Sequence, residues 1–160
     1  MNQPGLASIG RGYAFTVYGN AEPAGSKRAF YRPGLGVRVV DANPKSREWK
    51  NLVAQEAGRI STGMLEGPLS LHATFYRPRP ASHFGSGRNA GVLKTSAPAY
   101  PATRPDTTKL LRAVEDALQG VLYRDDAQIV EQHVSKQWGD PARCEIRVET
   151  LPDVTPPGLR

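Results

Sequence analysis

Three carboxylates stand out for their setting: Asp106 at the start of a helical run, and the adjacent pair Asp125 and Asp126 just after it. Carboxylates on either side of one helix suit a hard divalent cation such as magnesium, which takes oxygen ligands and keeps several waters. Such a cation activates water and offsets charge on an attacked phosphate, the two requirements of phosphodiester hydrolysis. Arg112 projects from the same run and supplies a planar cation for a phosphate. Two plainer roles compete. An aspartate before a helix serves more often as an N-cap, and an Asp-Asp pair in a loop is usually a solvated turn.

Two elements must position these groups. From Asp106 to Gly120, Leu110, Val114, Ala117, Leu118 and the following Val121 share one face of a helix, leaving Thr108, Arg112 and Glu115 on the other. Ala127 to Trp138 then reads as a strand, Gly139-Asp140-Pro141 as a turn, and Arg143 to Leu151 as a last strand with Cys144, Ile146 and Val148 inward. If the strand after the helix packs beside it, Asp106 and the Asp125-Asp126 pair are expected to converge.

Upstream, Tyr13 to Tyr18 alternates as a first strand, and Phe30-Tyr31 with Val37 to Val40 forms a hairpin around Pro33-Gly34. Asn43 and Pro44 open a helix that runs to about Ile60, and Leu69 to Tyr76 alternates as a further strand. Residues 77–105 differ in kind: a Pro- and Gly-rich stretch with Arg77, Arg79, Arg88, Lys94 and Arg104 and no acid. A loop this long is usually functional or disordered, and here it is expected to be mobile when free and to order on a phosphate backbone.

The whole chain of 160 residues carries a formal charge of +6, which favours polyanionic partners. Its length suits one domain, over 13–151, with a flexible N-terminus (1–12) and a disordered tail (152–160). One cysteine, Cys144, excludes an intrachain disulfide and a cysteine-rich zinc site. No apolar run is long enough to span a bilayer and no signal peptide opens the chain, so a soluble cytoplasmic protein is expected.

The run Arg104-Pro105-Asp106-Thr107-Thr108-Lys109-Leu110-Leu111-Arg112, then Asp116-Ala117-Leu118 and Asp125-Asp126-Ala127-Gln128, resembles the hallmark of the RusA family of Holliday-junction resolvases. In that family a Pro-Asp-x-Asp-Asn-Leu-x-Lys helix start precedes an Asp-Ala-Leu and an Asp-Asp-x-Gln. Gly19, Pro23, Gly25, Ser26 and Lys27 look like its opening motif, and coverage runs from about Phe15 to Glu149, with 83–103 looking like an insertion.

The resemblance implies an α+β fold, a small mixed β-sheet packed against two helices, in a homodimer that binds four-way DNA junctions. It further implies paired symmetric nicks made with magnesium (manganese serving in its place), in recombination and repair within a bacterial cell, with a phage gene as one source. Asp106 and Asp126 are implied as metal ligands, Asp125 as their support, and Arg112 stands where the family has a functional lysine. Thr108 replaces a second aspartate. Glu115, two turns further on the same helical face, is the candidate to complete the metal site, against the alternative of an ion pair with Arg112. Lys27, Arg28, Arg77, Arg79, Arg88, Lys94, Arg104 and Lys109 are the expected DNA-binding cations. Two further readings stay open: a non-catalytic branched-DNA-binding protein, if Thr108 has cost the site its metals, and a nuclease of broader branch and flap specificity.

Overall fold

The structure, a computed structural model, describes residues 11–25, 27–41 and 43–152. The expected flexible N-terminus and disordered tail lie almost wholly outside these residues, as does Ser26.

Alternation of apolar and polar residues sets the strands, and they assemble as expected into a mixed sheet. Strand β1 (Gly12–Tyr18) pairs antiparallel with β6 (Arg143–Thr150), β6 antiparallel with β4 (Leu69–Arg77), and β4 parallel with β5 (Ile129–Trp138). The order β1-β6-β4-β5 leaves β5 as an edge strand. Strands β2 (Lys27–Arg32) and β3 (Gly36–Asp41) form a separate hairpin. Gly34 and Gly36 hold its turn with φ of 85° and 74°, a region that side chains with a Cβ avoid.

Both helices cover one face of the large sheet. In α1 (Pro44–Ile60), Asn43 caps the start by accepting from the Lys45 amide, and Trp49, Val53 and Ala57 point inward. In α2 (Thr107–Leu118), Leu110, Leu111, Ala113, Val114, Ala117 and Leu118 are buried. They meet Leu69, Leu71, Ala73 and Phe75 of β4 and Cys144, Ile146 and Val148 of β6 in one core. Removal of this apolar area from water is the main term that holds α2, and so the acids at its two ends, in place.

A βα crossover fixes the geometry that matters next. Because β4 and β5 are parallel, the chain must travel the length of the sheet between them, and α2 makes the return leg. Helix α2 therefore runs antiparallel to β5: Gln132, near the start of β5, bonds Glu115, near the end of α2, whereas Lys136, further along β5, bonds the carbonyls of Thr103 and Pro105 just before α2.

Candidate functional site

Asp106 occupies the N-cap position of α2 by backbone geometry, yet its side chain makes no capping hydrogen bond. Its carboxylate is 59% exposed and lies 3.6 Å from Lys109 Nζ, one turn on. The plainer role of a cap thus falls away for this residue, and its oxygens remain open to a ligand. Arg104 and Pro105 beside it line a cavity of about 520 Å³ with Arg77, Glu22 and Tyr76.

Asp125 behaves differently from Asp126. The Asp125 carboxylate accepts from the Ala127 amide at 2.9 Å and caps the short turn at Asp126–Gln128. Asp126, one residue on, is exposed, and its carboxylate makes no hydrogen bond or ion pair among the described residues. Gln128 fastens the whole turn: its Oε1 accepts from the amides of Arg124 and Asp125, and its Nε2 donates to the carbonyls of Leu65 and Gly67. Sequence reasoning gave Gln128 no role of its own, although its place in the Asp-Asp-x-Gln motif was the available signal.

Glu115 lies within the electrostatic field of Asp126. Burial raises its pKa, and the charges of Asp126 and Asp116 raise it further, against a hydrogen bond from Gln132 Nε2 and the charge of Arg112. The partner of Glu115 is therefore Gln132, while Arg112 acts on it only through its charge. Asp116 is occupied by Lys50 at 2.9 Å. Three carboxylates share one field at the end of α2, and that repulsion is what a bound divalent cation relieves. Oxygen donors from Glu115, Asp126 and the Gln132 amide have the hardness that magnesium selects.

The expected convergence is not found within one chain. Asp106 lies at the start of α2, near Lys136, and Asp126 lies just before Ile129, at the opposite end of β5. Seven residues of strand separate the two levels, on the order of 20 Å at about 3.3 Å per residue. Among the described residues no three His, Cys, Asp or Glu side chains close up as one ligand set. The physical reason is the crossover: a helix antiparallel to the next strand places its own start and that strand's start at opposite ends.

Three of the loop cations are tied inward. Arg77 donates to the Arg104 carbonyl, Arg79 to the Pro98 carbonyl, and Lys94 to the Ser82 carbonyl. Arg79 also lies over the Trp138 ring, whose Nε1 donates to Pro98 too. Residues 77–105 are thus folded back on themselves and on β5, with short 3-10 turns at Ala81–His83 and Gly87–Asn89. The side chains of Arg88, Arg104 and Arg112 are exposed and make no hydrogen bond or ion pair among the described residues. Lys109 is also exposed, with Asp106 beside it. Lys27 and Arg28 open β2, and their side chains lie outside the described ones.

Comparison with known proteins agrees with this arrangement of elements. Residues 20–149 match the family described as Endodeoxyribonuclease RusA. The chain is also 34% identical over 145 residues to Uncharacterized protein YqaN of Bacillus subtilis (strain 168), a match that covers 86% of this chain and 95% of that protein.

Proposed function

The chain belongs to the RusA family of endodeoxyribonucleases, and on that footing we propose that it resolves four-way DNA junctions as a homodimer, by paired nicks made with magnesium held on Asp126 and Glu115 of one copy and Asp106 of the other. The observation that carries this reading is the carboxylate field at the end of α2, where burial and the charges of Asp126 and Asp116 make half-buried Glu115 costly to ionise, and no cation among the described residues forms an ion pair with Glu115 or Asp126. Magnesium bound there supplies an activated water and offsets phosphate charge. Manganese meets the same oxygen donors.

The chain's own residues divide the remaining work. Asp125 and Gln128 hold the Asp126 carboxylate outward, by the capping and fastening bonds described above. Arg112 lies on the exposed face of α2 between the two acidic ends, where its guanidinium engages the scissile phosphate. Lys109 screens Asp106 and adds a second cation. Arg88 and Arg104 carry the phosphate contacts of the loop, whereas Arg77, Arg79 and Lys94 shape it. Thr108, where the family has an aspartate, removes one charge from the start of α2, and Glu115 restores one at its end.

The test is cleavage of a labelled four-way junction, a fork and a linear duplex, each with magnesium and with EDTA. Symmetric nicks confined to the junction, abolished by EDTA and by Asp106→Asn or Asp126→Asn, are expected. Equal cutting of fork and junction would replace resolution with general branch cleavage. Full activity in either asparagine variant would overturn the site.

A further inference from the structure

Strands β2 and β3 form a ribbon that takes no part in the metal site. Every residue from Ala29 to Val39 is exposed, and among the described residues no further strand joins the pair. Two-stranded ribbons are marginal in water unless a face is covered. Here Phe30, Tyr31, Leu35, Val37 and Val39 are all more than half exposed, Tyr31 at 75%. Single exposed apolar residues need no explanation, but a contiguous patch of them marks a binding surface.

Register sorts the ribbon into two unlike faces, because directly opposed residues share a face and successive ones alternate. Ala29 pairs with Val39 and Tyr31 with Val37, so one face is wholly apolar. Phe30 pairs with Arg38 and Arg32 with Gly36, which places two guanidinium groups on the other. Neither arginine side chain makes a hydrogen bond or ion pair among the described residues, and residues 29–39 hold no acid. Leu35 lies in the turn at the tip.

Two bonds fix where the ribbon stands. Before β2, the Ala24 amide donates to the Lys109 carbonyl at 2.9 Å, three residues from Asp106. After β3, Asn43 Nδ2 donates to Glu22 Oε2 at 3.2 Å, which draws the two roots together. The ribbon is therefore rooted at the Asp106 end of α2, and its paired residues carry the tip on the order of 20 Å from those roots at about 3.3 Å per residue.

An opened branch offers such a ribbon something that a duplex does not. Along a duplex every base pair is covered by its neighbours, so only edges and phosphates are presented. Where four arms meet and open, the last pair of an arm loses a neighbour and shows its flat apolar face. Cations alone do not distinguish the two, since phosphates line both.

We propose that the ribbon reads the branch: Tyr31, Val37 and Leu35 cover the base pair exposed at an opened junction centre, while Arg32 and Arg38 on the opposite face hold phosphates of the adjoining arm. This rests on the junction-resolving reading given above. The occupant is DNA because both cations stand on the same short acid-free ribbon as the apolar face, and because the ribbon is rooted beside Asp106, one of the acids assigned to the cut. Bases stack on aromatic side chains whatever their identity, so the ribbon selects shape and not sequence.

Binding without cleavage tests it, measured in EDTA on a four-way junction and on a linear duplex. The wild type is compared with a chain carrying Tyr31→Ser, Leu35→Ser and Val37→Ser, exposed positions at which an unchanged Tm verifies the fold. Junction affinity is expected to fall at least about fivefold, the low end for one base on one aromatic ring, with duplex affinity and the salt dependence unchanged. Arg32→Ala with Arg38→Ala should instead weaken both substrates and lower the slope of log affinity on log salt by about 2. Equal losses of the serine variant on both substrates, or none on the junction, overturn the ribbon's role. So does a change in its mass by light scattering, which would assign the apolar face to a protein contact. A wild type that holds duplex as tightly as junction overturns the resolving function itself, whereas a selective wild type with an equally selective serine variant overturns the ribbon alone. Position is read separately with Leu35→Cys carrying a benzophenone maleimide, the natural Cys144 being buried. Cross-links at the nucleotides flanking the branch are expected; cross-links spread along the arms would overturn the proposal.

Discussion

Gln128 is the residue on which the position of Asp126 hangs. Replacing it with alanine removes two donations, to the carbonyls of Leu65 at 3.2 Å and Gly67 at 3.1 Å, and two acceptances, from the amides of Arg124 at 3.0 Å and Asp125 at 3.1 Å. A protein hydrogen bond contributes a net ~0.5–1.5 kcal/mol, and three of these four are exposed enough for water to replace them at the low end. The sum is about 2 kcal/mol. For a chain of this size that corresponds to a fall in Tm of roughly 4–8 °C. Urea unfolding followed by circular dichroism measures it, with an unchanged m-value showing that only stability has moved. Junction nicking, assayed well below the new midpoint, is expected to fall further than the stability loss explains, because the turn that aims Asp126 loses its fastener. Gln128→Glu sharpens the point. It keeps the two acceptances but sets a carboxylate against two carbonyls, so it is expected to destabilise at least as much as alanine. A Gln128→Ala protein within about 0.5 kcal/mol of wild type and equally active would refute the fastening role.

Three further outcomes separate the roles assigned here. Arg88→Ala with Arg104→Ala should lower the dependence of log junction affinity on log salt by about 2, one phosphate contact each, whereas Arg79→Ala should leave that slope unchanged and lower thermal stability; titrations at several salt concentrations decide it. Cys144, fully buried and with its thiol pushed well above the usual range by desolvation, should react with a maleimide only after denaturant is added, and rapid labelling of the native protein would contradict the core. His72, lowered by burial and by the charges of Arg147 and His133, should titrate below the ordinary midpoint of about 6.5, as followed by its ring protons. The sign for stability follows: as pH falls below that value the unfolded chain takes up a proton there that the folded chain resists, so stability declines toward acid, and His72→Gln should flatten the decline. A midpoint at or above 6.5 would remove the effect.

How much of this was legible in the sequence depended on range. Elements set by local periodicity were found where expected: α1 opens on Asn43 and Pro44, β4 alternates from Leu69, and α2 buries the face marked by Leu110, Val114 and Leu118. The family was legible too, because its motif is a string of local spacings. Contacts made across the chain were not. The ties from Arg77, Arg79 and Lys94 to carbonyls 12 to 27 residues away carry no periodic signature, so those cations read as free charges. Nor does spacing reveal direction. Asp106 and Asp126 are twenty positions apart, and only the parallel pairing of β4 with β5 decides whether the intervening helix brings them together or holds them apart.

That last point gives α2 a second task. Twelve helical residues span about 18 Å and, packed along one whole face, do not bend to close an acidic pair at their two ends. In the homodimer proposed above, where Asp106 of one copy serves the metal site of the other, the rigidity becomes useful: the helix is a spacer that fixes how far each half-site lies from the two-fold axis, and therefore how far apart the paired nicks fall. Thr108 fits the same scheme. It is the second residue of α2, at the end that contributes a single acid, while the opposite end contributes Glu115 and Asp126, so the charge absent at one end of the helix is present at the other. A variant that returned the family's aspartate, Thr108→Asp, would then add a third carboxylate beside the partner's pair. Activity that rose in Thr108→Asp with Glu115→Gln, relative to Glu115→Gln alone, would show that the two positions serve one centre; no recovery would show that they do not.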